Sequence, residues 1–404
     1  MKKTEKTDYV EKIINGGWGI VRDKEGVVFL NGVCPEENVR YKIRERAKGV
    51  FWGELLSIVE SSEIRRKSEC SYTGKCGGCS LLHIKYPEQL TIKREILMDD
   101  LKRIGGIDSI KPEIVHSKEY GYRIRVKLKG LSDGSLGFIR KGTNEVMQID
   151  KCLIASERIN KFIKKWNSFE KKPFFHQLDL FDNIDKKKLY VFLSRKPDEE
   201  YMKFLSIFSD TFFTWSENRD KGVSELKIGD FIYLVSPENF FQVNMFLHET
   251  MLKIVKDHMI KSKKVIDLYC GNGFFIPVLK LFSTDLTGVE NNKNAVNMAE
   301  RSFPDVKFLK LDVDKYEFDE FDVVIADPPR AGLSENLKEK IVKKKIKRLI
   351  YISCSTATLS RDLKYFISEG YEVKKMTMLD MFPNTAHIET ISLITKQLNI
   401  KSMR

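Results

Sequence analysis

The pattern of hydrophobic and polar positions changes near residue 245. Downstream of that point, stretches with helical period alternate with short apolar runs, beginning with residues 246–252 and 265–268. Alternation of this kind predicts a parallel, doubly wound, Rossmann-like α/β sheet. In such a sheet the carboxyl ends of the strands meet at one edge, and ligands bind at that edge.

Two different patterns precede this region. Residues 8–60 contain short β-rich runs separated by turn residues, and this spacing predicts a small, closed, OB-like barrel. The next stretch mixes helical and strand patterns, which is typical of an α+β domain. We therefore expect three domains: a barrel at 1–62, a central domain at 63–235 and an α/β domain at 236–404.

Residues 122–129 alternate strictly between apolar and basic side chains. A strand with this pattern buries its apolar face and presents cations on the other, namely Arg123, Arg125, Lys127 and Lys129. A solvated outer face is the alternative, although such faces usually mix both signs of charge. We therefore expect this strand to contact the phosphate backbone of a nucleic acid.

The composition of the chain fits such a partner. Its 70 Lys and Arg against 57 Asp and Glu give a net charge of +13, which favours a polyanion and salt-dependent binding. A lysine-rich proteome would give the same excess. No apolar run is long enough to span a membrane, and the residues after Met1 lack the apolar core of a signal peptide. We expect a cytoplasmic protein whose cysteines are ligands, nucleophiles or core residues rather than disulfides.

A loop that contains glycines follows the apolar run at 265–268. The candidate cofactor residues are Asp267, Tyr269, Gly271 and Gly273 in this loop, and Glu290 and Asp312 at the ends of the next two apolar runs. The glycines let the backbone approach a ligand, while Glu290 can accept from ribose hydroxyls and Asp312 from an adenine amino group. The third glycine of a dinucleotide loop is missing, so the ordered set favours S-adenosylmethionine. Ordinary acidic strand ends would explain either carboxylate alone.

Reactive groups follow in order along the same pattern. Asp327 and Arg330 bound an Asp-Pro-Pro-Arg turn, Cys354 ends the next apolar run, and Glu389 comes farther downstream. A lone cysteine is most often a small buried hydrophobe. A thiol beside a methyl donor has a defined use, because C5 of a pyrimidine becomes nucleophilic only after a thiolate adds to C6. The adduct must then lose its C5 proton, and Glu389 is the expected base, with His387 as the second candidate.

Two other functions compete with this interpretation. Enzymes that methylate exocyclic amines commonly have an aromatic residue at the end of such a turn, where it stacks on the base, whereas this chain has Arg330. Arginine suits a phosphate or a carbonyl and argues against amine methylation. A non-catalytic RNA-binding or assembly factor would need neither nucleophile, nor base, nor cofactor loop.

Four cysteines suggest a metal centre in the central domain. Cys70, Cys76 and Cys79 lie within ten residues, with two glycines between the last two, and Cys152 is the natural fourth ligand. Zinc and a 4Fe–4S cluster both accept four thiolates. Zinc sites usually show paired Cys-x2-Cys motifs, so three clustered cysteines and a distant one favour the iron–sulfur cluster, with zinc as the alternative.

Together these motifs resemble the RNA 5-methyluridine methyltransferases along nearly the whole chain, specifically the iron–sulfur branch that includes the 23S ribosomal RNA uracil-C5 enzymes. The barrel is similar to a TRAM domain, and residues 236–244 resemble the Phe-Gln-x-Asn segment of the family. The resemblance implies that Gln242 contacts S-adenosylmethionine or the target uracil. It implies Cys354 as nucleophile, Glu389 as base, Asp327 in the site, and Gly271 and Glu290 at the cofactor.

The implied function is methyl transfer to C5 of a uridine in structured RNA by a monomeric enzyme with an RNA-binding barrel. The resemblance favours 23S ribosomal RNA, with uridine 54 of transfer RNA as the alternative. One position departs from the family pattern, because Ser355-Thr356 stands where Asn-Pro or Asp-Pro usually follows the catalytic cysteine. We expect a less rigid loop there, with an effect on rate rather than on the reaction.

Overall fold

The computed structural model describes residues 5–24, 26–47 and 49–397. The N-terminal strands are β1 (Glu5–Ile14), β2 (Trp18–Asp23), β3 (Gly26–Asn31), β4 (Asn38–Ala47) and β5 (Val50–Glu60). They close into a barrel in the order β1-β2-β3-β5-β4, which confirms the predicted barrel. Its interior holds Val10, Val21, Val28, Leu30, Val39 and Tyr41, all of which are fully buried.

The segment after the barrel forms α1 (Tyr86–Asp100), one π-helical turn (Leu101–Gly105) and the short strand β6 (Glu113–Val115). The helix buries Ile92, Ile96 and Leu97 on one face. The buried residues also include Gln89, Lys93 and Asp100, so the helix packs through both apolar and polar contacts.

The central sheet comprises β7 (Arg125–Gly130), β8 (Leu136–Ile139), β9 (Val146–Gln148), β10 (Gln177–Asn183), β11 (Lys188–Leu193) and β12 (Thr211–Thr214), in the order β12-β11-β10-β7-β8-β9. Two helices accompany it, α2 (Glu157–Asn167) and α3 (Glu199–Leu205). The helix α2 buries Ile159, Phe162, Ile163 and Trp166. A separate hairpin follows, β13 (Ser224–Ile228) and β14 (Phe231–Val235).

The C-terminal region alternates helices and strands as predicted. Its helices are α4 (His248–His258), α5 (Ile276–Leu279), α6 (Lys293–Ser302), α7 (Glu335–Lys343) and α8 (Thr356–Ser368). Its strands are β15 (Lys264–Leu268), β16 (Asp285–Glu290), β17 (Lys307–Lys310), β18 (Val323–Ala326), β19 (Arg348–Ser353), β20 (Tyr371–Leu379) and β21 (Glu389–Lys396). The sheet order is β17-β16-β15-β18-β19-β21-β20-β6, and β21 runs antiparallel to both of its neighbours.

The structure differs from the predicted domain division in one respect. Residues 86–115 fall within the expected central domain, but β6 pairs with β20 at the edge of the C-terminal sheet. One cluster of buried apolar side chains is continuous from the barrel through α1 to a face of this sheet. The barrel and α1 therefore support the C-terminal sheet. Within the described ranges, no helix has the length and hydrophobicity that crossing a bilayer requires.

Candidate active site

The cofactor loop leaves β15 at the carboxyl edge of the sheet and folds back sharply. Tyr269, Gly271 and Gly273 have φ angles of 62°, 55° and 82°. Left-handed backbone is rare for a residue with a bulky side chain, so Tyr269 marks a strained turn of the type found at ligand sites. The Gly271 N–H donates to Glu290 Oε2 at 3.1 Å, which fixes the loop to the end of β16.

Both oxygens of Glu290 already accept backbone hydrogen bonds. Oε2 accepts from Gly271, and Oε1 accepts from the Asn292 N–H at 2.7 Å. Each carboxylate oxygen retains a second lone pair, so the proposed contact with ribose hydroxyls remains available. Asp312 is exposed, and its carboxylate accepts from the Asp314 N–H at 3.1 Å. Burial, Asp314 and Asp312 together raise the pKa of Tyr269 to about 12, which places Asp312 beside the same loop.

Asp267 is the most unusual group at this edge. Its side chain is 1% exposed, and neither carboxylate oxygen has a hydrogen-bond partner. Burial raises its pKa well above the usual range, and the charges of Asp327 and Glu290 add to the effect. Buried carboxylates without a partner are costly, and a cationic ligand removes that cost. S-adenosylmethionine carries an ammonium and a sulfonium, so the residues present fit this cofactor.

The predicted nucleophile and base lie in one electrostatic cluster. Cys354 follows β19 and is partly exposed, while Glu389 begins β21 and is buried. Burial, then Glu389 and Asp327, raise the pKa of Cys354 to about 11, whereas Arg330 lowers it. Burial and then Asp327 raise the pKa of Glu389 well above its usual range, again opposed by Arg330. These couplings place the four residues in one neighbourhood of the sheet edge, while the catalytic roles of Cys354 and Glu389 stay predictions.

The two carboxyl groups of this cluster, Asp327 and Glu389, both have raised pKa values. Burial raises the pKa of Asp327 to about 7, and that of Glu389 also lies well above the usual range. Close carboxyl groups resist simultaneous ionisation, which adds to the effect of burial on Glu389. Arg330 is then the cation that supports a thiolate at Cys354.

His387 is a weaker candidate for the base. Desolvation and the positive charges of Arg330, Lys93 and Arg123 lower its pKa to about 4. Its Nδ1 accepts from the Arg330 guanidinium at 3.1 Å. A ring that already accepts from a cation binds a further proton poorly, so the geometry favours Glu389.

The Ser355-Thr356 dipeptide is held by several hydrogen bonds. Ser355 is the N-cap of α8, and its hydroxyl accepts from the Thr358 N–H at 3.4 Å. The Thr356 hydroxyl donates to the buried carboxylate of Asp100 at 2.6 Å. These bonds argue against the less rigid loop expected from the missing proline.

The segment that contains Gln242 joins the central sheet to this site. The Ile124 N–H donates to the Val243 carbonyl at 3.1 Å, and the Asn244 side chain donates to the Met381 carbonyl at 3.1 Å. Gln242 is partly exposed, and its backbone carbonyl accepts a hydrogen bond from His248 Nε2 at 2.8 Å. The sequence analysis did not single out Phe240 as a candidate site residue, although its side chain is 72% exposed and lines the cavity described next. The adjacent pair Phe240-Phe241 could have indicated an exposed aromatic side chain, because only one of two neighbouring phenylalanines can face the core.

A cavity of about 920 Å³ extends from this segment to the cysteines. Its lining includes Cys70, Cys76, Cys79, Cys152, Arg123, Lys127, Phe240 and Asn292. Burial raises the pKa of Cys79, and charges on the other three cysteines would raise it further. Among the described residues, however, no three His, Cys, Asp or Glu side chains are arranged so that they could hold a metal ion. The predicted metal centre is therefore not confirmed.

The basic strand does not present four cations on one surface. Arg125 points inward, and its guanidinium donates to the carbonyls of Ser236 and Pro237 at 2.8 and 2.7 Å. Burial lowers its pKa to about 10, so it remains charged at neutral pH. The prediction that Arg125 contacts the phosphate backbone is therefore wrong, because its guanidinium is bonded inside the protein.

The other three basic side chains have different environments. Arg123 lies beside Cys79 and Cys152, and its Nε is buried without a hydrogen-bond partner. Lys127 is 65% exposed and lies 3.4 Å from Asp179, and Lys129 donates to Gln177 at 2.6 Å. The alternation itself is confirmed, since Tyr122, Ile124, Val126 and Leu128 are all buried.

The sheet order, the glycine loop and the acidic strand ends define an S-adenosylmethionine-dependent methyltransferase of the Rossmann-like class. Residues 290–397 match the sequence profile of the family described as tRNA (Uracil-5-)-methyltransferase. An uncharacterised RNA methyltransferase of Aquifex aeolicus is 33% identical over 95% of this chain and 97% of its own. The chain belongs to the RNA (uracil-C5) methyltransferase family and is an S-adenosylmethionine-dependent enzyme.

Other relatives carry more specific names. The tRNA (uracil(54)-C(5))-methyltransferase of Pyrococcus abyssi is 30% identical over 95% of this chain and 98% of its own. A 23S rRNA (uracil(1939)-C(5))-methyltransferase of Mannheimia succiniciproducens is 29% identical over 94% of this chain and 93% of its own. The crystal structure of the Pyrococcus abyssi enzyme with S-adenosyl-L-homocysteine shares the fold, with a TM-score of 0.76 and 24% identity over 96% of this chain and all of that one.

Proposed function

We propose that this enzyme methylates C5 of a specific uridine in 23S ribosomal RNA in the cytoplasm, through a covalent bond between Cys354 and C6 of the base. The observation that carries the proposal is the grouping of Cys354, Glu389, Asp327 and Arg330 at one sheet edge, next to the unpartnered carboxylate of Asp267. When bound, S-adenosylmethionine supplies the methyl group.

The roles of the protein groups follow from their charges. The thiolate of Cys354 adds to C6, and Arg330 stabilises that thiolate. After C5 has been methylated, the carboxylate of Glu389 removes the C5 proton, the electron pair re-forms the C5–C6 double bond, and the C6–sulfur bond breaks. Gly271, Gly273, Glu290 and Asp312 would hold the cofactor, and Gln242 would contact the cofactor or the target uracil.

Uridine 54 of transfer RNA is the second candidate substrate, because the tRNA (uracil(54)-C(5))-methyltransferase of Pyrococcus abyssi aligns over nearly the whole chain. The two candidates are separated by mapping 5-methyluridine in ribosomal and transfer RNA from cells with and without the gene. Loss of one ribosomal 5-methyluridine supports the proposal, and loss confined to transfer RNA supports the alternative. A methylated amine as the lost product would exclude both.

We propose that the four cysteines hold a 4Fe–4S cluster. They line one cavity, and a cationic centre would stabilise all four as thiolates. The cluster would keep the loop at 70–79 in place beside the RNA cavity.

Anaerobically purified protein is accordingly expected to be brown and to contain about four irons per chain. A Cys79→Ser variant should lose the iron and melt at a lower temperature, because a ligand and its loop constraint are removed. Cys34→Ala, which changes a cysteine in the barrel core away from this cavity, serves as control and should keep its iron. Stoichiometric zinc without iron in the wild type would contradict the assignment.

We further propose that the barrel is a TRAM-type RNA-binding domain and that the monomer binds RNA along the cavity, with Lys127 at a phosphate. Replacing Lys127 with glutamine is expected to weaken binding and to reduce the slope of log K against log salt concentration by about one, because one counterion release is lost. Filter binding over a salt series measures this slope.

A matched lysine serves as control for that experiment. Lys164 lies exposed on α2 and does not line the cavity, so Lys164→Gln should leave the slope unchanged. Equal slopes for wild type and Lys127→Gln would show that this lysine is only a solvated surface group.

A further inference from the structure

The hairpin between β1 and β2 of the barrel contacts two loops of the active site. These loops are separated by about thirty residues along the chain, yet residues 15–17 meet both of them. The first loop carries the nucleophile Cys354, and the second carries His387 and Glu389.

The contact with the nucleophile loop is polar. Asn15 Nδ2 donates to Asp100 Oδ2 at 2.6 Å and to the Thr356 hydroxyl at 3.1 Å. The Thr356 hydroxyl in turn donates to Asp100 Oδ2 at 2.6 Å. Asp100 and Thr356 are each 3% exposed, whereas Asn15 is exposed, so the network runs from a buried carboxylate and hydroxyl to the surface of the hairpin. Thr356 begins α8, two residues after Cys354, and a proline at this position would have no hydroxyl to contribute.

The contact with the base loop is steric. Gly17 has a φ of +77°, and a Cβ built on it would lie 3.0 Å from Ser80 Cβ and Oγ and 3.3 Å from Ala386 Cβ. The Ser80 hydroxyl accepts from the Ala386 N–H at 2.9 Å, and both Ser80 and Leu81 donate their N–H groups to the Asn384 carbonyl. Ala386 is three residues before Glu389. Only a glycine leaves room for this close approach.

We propose that the hairpin at residues 15–17 is a positioning element that sets the separation of the nucleophile and base loops. Through it, the place of the barrel on the RNA is coupled to the geometry at Cys354 and Glu389. This inference rests on the proposed function of those two residues. Asn15, Gly17 and Thr356 are then positioning residues, which affect the rate of reaction without touching the RNA base.

The test uses full-length protein and an RNA substrate with 5-fluorouridine at the target, at saturating RNA and S-adenosylmethionine. Gly17→Ala is expected to slow formation of the covalent adduct on the order of tenfold to a hundredfold, because small displacements of reacting groups have large effects on rate. The dissociation constants for RNA and S-adenosylmethionine should change by less than about twofold. Gly370→Ala is the matched control. Gly370 has a φ of +80° and open space around it, and lies at the far end of α8 from Cys354.

A second pair of variants keeps the test independent of the folding of Gly17→Ala. Thr356→Val removes the hydroxyl and is expected to slow adduct formation, whereas Thr356→Ser retains it and should restore the rate. An equal rate for Thr356→Val and Thr356→Ser, or for Gly17→Ala and Gly370→Ala, would overturn the inference. Failure of the wild type to form any adduct would instead refute the proposed function.

Discussion

Replacing Glu389 with glutamine is expected to stop the reaction after methyl transfer and to leave the RNA covalently attached to the protein. Glutamine is nearly isosteric and removes only the ability to take a proton. Addition of Cys354 to C6 and methylation of C5 require no such acceptor, but elimination does. A methylated RNA–protein adduct should therefore accumulate and survive a denaturing gel, with turnover reduced on the order of a thousandfold or more.

Two further variants define the stage at which each residue acts. Cys354→Ala should bind RNA and S-adenosylmethionine and form no adduct. His387→Asn should leave turnover close to that of the wild type, because the desolvated ring has a pKa lowered to about 4. Normal turnover by Glu389→Gln without a trapped species would assign the base role to His387 or to a water held by another carboxylate.

Replacing Arg330 with glutamine is expected to slow adduct formation about tenfold at neutral pH. The pKa of the Cys354 thiol is raised to about 11 by burial, Glu389 and Asp327, and Arg330 is the group that lowers it. Loss of an adjacent cation raises such a pKa by about one unit or more, and the thiolate fraction below the pKa falls tenfold for each unit. The rate should therefore rise with pH in both proteins, with the profile of Arg330→Gln displaced to higher pH.

Single-turnover adduct formation with 5-fluorouridine RNA between pH 6 and 9, at saturating RNA, measures this displacement. Arg330→Lys retains the charge and should recover part of the rate, although it loses the planar guanidinium that donates to His387. A profile of Arg330→Gln that overlies that of the wild type would show that the thiol is activated by another group, such as the bound cofactor.

The sequence allowed the catalytic sheet and its chemistry to be predicted because both depend on local patterns. In an alternating α/β chain the strand ends meet at one edge, so Asp267, Asp327 and Cys354 were expected to converge before any distance was known. The pattern also predicted which side chains of 122–129 are buried. It did not predict what covers the other face, and Arg125 proved to be bonded to a chain segment more than a hundred residues away.

Contacts between distant segments were likewise outside the reach of periodicity. The pairing of β6 with β20, the packing of α1 under the catalytic sheet, and the network of Asn15, Asp100 and Thr356 all depend on how complete elements pack. The four cysteines illustrate the same limit, because their spacing indicates a shared site while the identity of the centre remains a proposal.

The inward orientation of Arg125 has a consequence for the thermodynamics of RNA binding. Its two hydrogen bonds join the central strand to the carbonyls of Ser236 and Pro237, at the junction where the chain enters the catalytic domain. Where RNA binds along this cavity, as proposed above, these bonds already join its two walls, and association then loses less conformational entropy than at an adaptable cleft. On the same proposal, the free energy of the RNA contacts is available to extract one uridine from its stack, a step that costs a few kcal/mol.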